Sequence, residues 1–340
     1  MKRYKAAVIG LGHQGIEDWI PGIVDSQFAT LKAICDSDRK KLDVWKEKLK
    51  VNAYENYKEL LSREALDFVV IATPHDTHKP ITEEAFKHGI HVLKEKPFAR
   101  SLKEALYLRD LAEKYETTLM IVAQRRFNPI YTTFFQLKDQ IGEPFFIEAK
   151  YSLFIEKPYI GWRGDRKRAG GGCIIDMGYH IIDILIWYFG LPDRVHAEFS
   201  TKACPEINYK AEDTATILFS YGVGLYGNLV LSRYYPPKSE YIKLIGSRGI
   251  IEVERGKIKR KKSDGEVVES LSRDVAWPTA AINQIDYFCR VINSERENFS
   301  NPDYHLQHMS FIEACYLSKR NGCYVSPKEI LEKKVERCQS

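Results

Sequence analysis

The chain has 340 residues, 44% of them hydrophobic and 29% charged, with 16 Phe, 20 Tyr and 5 Trp. That apolar and aromatic content excludes disorder as the dominant state, and the length is enough for about two domains with large cores. The formal net charge of +5 is modest for this size and gives no reason to expect nucleic acid as a partner.

The chain opens with basic Lys2, Arg3 and Lys5 and a short apolar strand, Tyr4 to Ile9, which stops at Gly10-Leu-Gly12 without a cleavage-like site. A soluble, unexported, cytoplasmic protein is therefore expected. Further strands are predicted at Phe28–Cys35, Leu66–Ala72, His91–Leu93 and Thr118–Val122, with helical patterns at Gln14–Asp25, Asp38–Leu49, His75–His88 and Ser101–Tyr115 between them. Ser101 and Glu104 have capping-box spacing. Near-continuous apolar strands alternating with helices predict a parallel sheet covered on both faces, that is, a doubly wound α/β Rossmann domain.

Gly10-Leu-Gly12-His13-Gln14-Gly15 is G-x-G-x-x-G placed between the first strand and its helix. In that setting the first glycine permits the tight turn and the second lets backbone approach a pyrophosphate. The third lets helix and strand pack closely, and the helix N-terminus faces the phosphates. Asp36 ends the second strand, where a carboxylate can accept both ribose hydroxyls of NAD. It would repel the 2′-phosphate of NADP, although Ser37, Arg39 and Lys40 could accommodate that group. NAD is expected, with NADP possible.

From Pro144 the pattern changes to long β-rich stretches at 145–154, 194–201, 215–220, 224–233, 241–245 and 250–253, separated by turn signals. They predict an α+β domain with a large open, mainly antiparallel sheet. Helices at about 176–189 and 279–294 would cover one face of it, and 302–320 could return to the first domain. The boundary is placed near residue 123, giving domains 1–123 and 124–340. The longest apolar run, Ile181 to Phe189, is shorter than the ~20 residues of a membrane span and contains Asp183. Arg255 to Lys262 holds six basic residues in eight before the turn signal Ser263-Asp-Gly265, and is read as a solvated hairpin. The seven cysteines form no C-x-x-C pair and suit free thiols; no metal site is expected.

Two constellations carry chemistry. Lys96, in Lys94-Glu95-Lys96-Pro97, follows an apolar strand, where ligands of doubly wound sheets bind. Asp176 and His180 are four residues apart after Gly170-Gly-Gly172, a spacing that puts them on one helix face with Asp183 on the same stripe. Buried Asp and His on an apolar stripe are costly unless paired or used.

Taken in order, Gly10-x-Gly12-x-x-Gly15, Ile71-Ala-Thr73-Pro74 followed by His78, Glu95-Lys96-Pro97, Arg126-Phe-Asn-Pro129 and Gly170-Gly-Gly with Asp176-x-Gly-x-His180 resemble the glucose–fructose oxidoreductase, inositol dehydrogenase and rhizopine-catabolism (Gfo/Idh/MocA) family, over nearly the whole chain. His75 stands where many members have Asn. The resemblance implies catalytic roles for Lys96, Asp176 and His180 and a cis Lys96–Pro97 bond. It puts Gly10, Gly12, His13, Gln14, Gly15, Asp36, Ser37, Arg39, Thr73, Pro74, His75, His78, Glu95 and Lys96 at the cofactor. Substrate contacts are expected from Lys96, Arg126, Tyr151, Trp162, Arg163, Asp176, His180 and Tyr234. His180 would act as general base on a secondary hydroxyl, with Lys96 stabilising the alkoxide. The implied activity is NAD(P)-dependent interconversion of a secondary alcohol and a ketone on a sugar, cyclitol or sugar derivative. Rival readings are a non-catalytic NAD(P)-binding sensor, an NAD-dependent glycosidase and a reductase of a non-sugar substrate. The open sheet face, expected to be largely apolar, would make a homodimer or homotetramer; no membrane partner is expected.

Overall fold

The computed structural model describes residues 3–222, 224–273 and 277–339. They fall into two compact units, of which the first is discontinuous: residues 1–99, 103–127 and 276–305 form one, and 100–102, 128–275 and 306–340 the other. The division near residue 123 thus omits a late segment of the first unit.

The first unit is built on a six-stranded sheet of β1 (Tyr4–Ile9), β2 (Ala29–Cys35), β3 (Asn52–Tyr54), β4 (Phe68–Ile71), β5 (His91–Lys94) and β6 (Leu119–Ile121), in the order β3-β2-β1-β4-β5-β6. Every pairing is parallel. The order reverses at β1, so the ends of β1 and β4 flank the crevice where doubly wound sheets bind ligands. The short strand β3 was not foreseen.

The helix Trp277–Ile292 corrects the sequence reading, which placed it on the second sheet. Ala281, Ile285, Phe288 and Cys289 share one buried cluster with Val8, Trp19, Ile23 and Phe68. The Phe288 and Phe68 rings meet edge to face at 5.4 Å. Its hydrophobic stripe is as expected; periodicity does not say which core a stripe will join.

The second unit carries an eight-stranded sheet of β7 (Pro144–Phe154), β8 (Arg194–Ser200), β9 (Thr214–Ser220), β10 (Tyr226–Ser232), β11 (Tyr234–Gly246), β12 (Gly249–Glu254), β13 (Lys257–Lys262) and β14 (Val267–Ser272), ordered β14-β13-β12-β11-β7-β10-β9-β8. All pairs are antiparallel except β7 with β10. One face is fully buried through Ile147, Ala149, Leu229, Leu231, Ile242, Leu244, Ile251 and Val253. The helix Gly178–Phe189 packs against this unit's β7. The helix Pro302–Asn321 belongs to the second unit from Leu306 onward, with Ser318 donating to Cys323 O and accepting from Ala197 N.

The other face departs from the expected apolar surface. Pairing aligns Asn228, Glu148, Lys243, Glu252 and Lys259 in a row across β10, β7, β11, β12 and β13. Lys243 lies 3.5 Å from Glu148 and 3.9 Å from Glu252, and Lys261 donates to Glu252 at 2.6 Å. An apolar row, Tyr226, Phe146, Ile245 and Ile250, runs beside it. The basic run is thus the strand β13 between two hairpin turns, its charges met by Glu252, Glu254 and Glu269. The six cysteines whose side chains are described are free thiols. No described helix is long and apolar enough to cross a membrane.

Candidate active site

The glycine loop shows three different requirements. Gly10 has φ +105°, and a Cβ there would lie 2.5 Å from Ala72 O. At Gly15 a Cβ would lie 2.0 Å from Gly10 O, so the following helix can approach only without a side chain. Gly12 is outside the positive-φ region, and nothing lies nearer than 4.0 Å to its missing Cβ. The fold does not demand glycine at Gly12; the open space above it fits a dinucleotide lying against bare backbone.

Asp36 reaches across to this loop. Its Oδ2 accepts from Leu11 N at 2.6 Å and its Oδ1 from Asp38 N at 2.8 Å, which fixes the carboxylate beside the glycines. Arg39 is drawn away, donating to Glu55 Oε1 at 2.9 Å. Ser37 and His13 are exposed.

Behind the loop, Gly15–Trp19 is a π-helical turn, a form often met at functional sites. Gln14 and Gln124 both donate to the buried Asp18 carboxylate, at 3.1 and 3.3 Å. Burial pushes the Asp18 carboxyl up, against the pull of those two hydrogen bonds. The indole N–H of Trp19 donates to Glu95 Oε1 at 2.9 Å; burial raises Glu95 as well, and the Lys96 charge opposes it. Asp18, Trp19 and Gln124 were not singled out in the sequence. A signal existed in the acidic residue inside the buried face of the first helix.

In the helix His75–Lys87 that follows β4, His78 sits at 1% exposure with Nε2 2.8 Å from Thr73 O. A carbonyl only accepts, so Nε2 carries the proton; burial and the charge of Lys94 keep the ring neutral. His78 thus braces the loop Thr73-Pro74, with the His75 ring 5.7 Å away. The Lys96–Pro97 bond is cis. Arg126 is buried, donates to Phe299 O at 3.3 Å and stacks 4.3 Å over Tyr304. These contacts tie it to the segment 299–304.

In the second unit, Asp176 precedes the helix, which starts at Gly178, so Asp176 lies in a turn and not on the expected helix face. Glycines shape that turn. A Cβ at Gly172 would lie 2.0 Å from Glu212 O, and the buried Glu212 takes Gly172 N at 2.8 Å, Ile174 N at 3.2 Å and the Tyr316 hydroxyl at 2.9 Å on one oxygen. Asp176 Oδ2 then accepts from Arg233 Nη2 at 2.9 Å and Arg163 Nε at 3.2 Å. Arg233 is 1% exposed and also donates to Arg163 O at 3.1 Å. Sequence reasoning missed Arg233, whose one signal is a charge closing an apolar strand. Arg163 is half exposed and stacks 4.3 Å over Trp162.

His180, half buried, stands one turn into this segment with its ring 6.5 Å from that of Tyr151. Asp183 does not join Asp176: it pairs with the buried His308 at 2.8 Å, and Tyr179 stacks on the same imidazole. Tyr234, 37% exposed, packs on Phe154 with ring centroids 5.0 Å apart.

Residues 4–123 match the model of the Gfo/Idh/MocA oxidoreductase family with its NAD-binding Rossmann fold, and residues 137–252 match that family's C-terminal domain. The chain belongs to this family and is an NAD(P)-dependent oxidoreductase. It is 27% identical over 361 aligned residues to D-apiose dehydrogenase of Paraburkholderia graminis, an alignment spanning 97% of this chain and 91% of that one. An oxidoreductase from Agrobacterium radiobacter, crystallised with NAD+, L-tartaric acid and magnesium, shares the fold at TM-score 0.82 and 23% identity, covering 97% and 100% of the two chains. Aldose-aldose oxidoreductase from Caulobacter crescentus gives TM-score 0.83 at 23% identity, covering 96% and 100%.

Proposed function

We propose that the protein interconverts a secondary alcohol and a ketone on a sugar, cyclitol or sugar derivative, with NAD preferred over NADP. The observation that carries the reading is the turn at Asp176, where a buried arginine and Arg163 orient one carboxylate a turn away from a half-exposed imidazole. Such an arrangement is expensive to fold and has a use in holding and deprotonating a hydroxyl. The D-apiose dehydrogenase relative supports a sugar-like substrate.

The roles divide as follows. His180 takes the hydroxyl proton, a task suited to an imidazole near neutrality. Asp176, held by Arg233, orients neighbouring hydroxyls, and Tyr151, Trp162 and Arg163 line the approach. The Lys96 ammonium stabilises negative charge on the reacting oxygen. The bound dinucleotide supplies the hydride acceptor. Asp36, anchored to Leu11 N, is placed to accept ribose hydroxyls, and the engagement of Arg39 by Glu55 favours NAD. A second copy of the chain is proposed as the partner of the open sheet face.

The test is the near-ultraviolet absorbance of reduced nicotinamide, followed with NAD or NADP across sugars, cyclitols, sugar phosphates and nucleotide sugars. A signal that disappears in His180→Ala is expected. Full activity in that variant, or cofactor binding with silence across the whole panel, overturns the reading.

A further inference from the structure

The strand β5 ends with a lysine that the reaction does not use. Lys94 is 0% exposed. Its backbone is held on both sides of the sheet, opposite Ile71 and Ile121, and its carbonyl accepts Val122 N at 2.8 Å. One more bond to the neighbouring strand follows, from Glu95 N to Ile71 O at 2.9 Å, and then Lys96-Pro97-Phe98 runs on through the cis bond with Pro97 and Phe98 buried. Buried carbonyls need donors. The side chain of Lys94 turns forward along the chain and its Nζ donates to Pro97 O at 3.1 Å and also to Phe98 O.

Burying an ammonium is costly, and an apolar residue would suit the end of a central strand better if packing were the only demand. We infer that Lys94 is a positioning residue: its ammonium clamps the two carbonyls that follow Lys96 and so fixes the backbone from which Lys96 works. This rests on the catalytic role proposed above for Lys96. The charged and titratable groups around Lys94 are Glu104 from the helix Leu102–Lys114, Glu95 on its own segment and neutral His78 from the helix His75–Lys87. Burial pulls the Lys94 ammonium down to about 7, with Glu104 and Glu95 pulling it back up. The clamp is therefore charged below neutrality and weakens as pH rises through about 7, because a neutral amine donates less strongly.

The experiment compares kcat, NAD affinity and pH profile in the wild type, Lys94→Met, Lys94→Arg and Lys96→Met. Lys94→Met is expected to bind NAD as the wild type does and to lose about 10- to 100-fold in kcat, the scale of a misplacement of about 1 Å. It should lack the falling limb near neutrality, and Lys94→Arg should restore part of the rate. A folded Lys94→Met with wild-type kcat and pH profile overturns the inference. If that variant does not fold, Lys94→Gln, a shorter and uncharged donor, decides: wild-type kcat in a folded Lys94→Gln at every pH overturns it. Full turnover in Lys96→Met would instead strike at the proposed reaction, so the two failures are distinguishable.

Discussion

Gly12 and Gly15 share a loop and are glycines for unrelated reasons. A side chain at Gly15 would strike Gly10 O, whereas one at Gly12 would meet only the space left for a ligand. Gly12→Val should therefore melt at the wild-type temperature without cofactor and lose the upward shift that NAD gives the wild type. Undiminished NAD binding in Gly12→Val would show that the dinucleotide lies elsewhere. This loop was legible because its residue types answer to backbone geometry, which is local. Arg233 was not. A buried arginine becomes intelligible only beside Asp176, 57 positions earlier, and that proximity is made by tertiary packing.

At the scale of elements, the open face of the second sheet is a lattice of alternating charge. Burial alone would raise the Glu252 carboxyl, but the hydrogen bond from Lys261 and the charges of Lys243 and Lys259 outweigh it and hold the group below its usual range. A carboxyl depressed by folding contributes stability above its unfolded pKa and loses that contribution as pH falls through the folded value. Glu252→Gln should thus cost about 1–2 kcal/mol at pH 7 by denaturant titration. The difference from wild type should shrink as pH falls below about 4. A constant difference across that range would mean that packing, not charge, is what Glu252 supplies. Strand positions here were readable from alternation, and the basic run from its turn signals. The facing acids became visible only with register, which sets the residues that stand opposite one another across the β12–β13 and β13–β14 hairpins. Similarly, β3 is three residues long and too short to carry a period.

For the whole molecule, the rows on that face bear on assembly. Tyr226, in the apolar row, is 55% exposed, and Leu218, opposite Asn228 at the end of the charge row, is 43% exposed. Two copies related by a two-fold axis could bury the apolar row while matching unlike charges, an arrangement that avoids unpaired buried ions. Sedimentation should give a dimer or a larger closed assembly, and Ile245→Lys should shift it toward monomer. A wild type that sediments as a monomer at enzyme-assay and higher concentrations rules out this role for the face.

The discontinuity of the first unit has a consequence in time. Its nucleotide-binding sheet is complete by residue 121, yet the helix that seals the cluster around Trp19, Ile23 and Phe68 begins at Trp277. During synthesis the ribosome must add all of residues 128–275 before that cover exists. At ~5–20 residues per second the interval is roughly 7–30 s. Throughout it, the nascent chain presents an apolar surface that its own sequence cannot yet conceal, an interval suited to capture by a chaperone and open to aggregation with neighbouring chains on the same message.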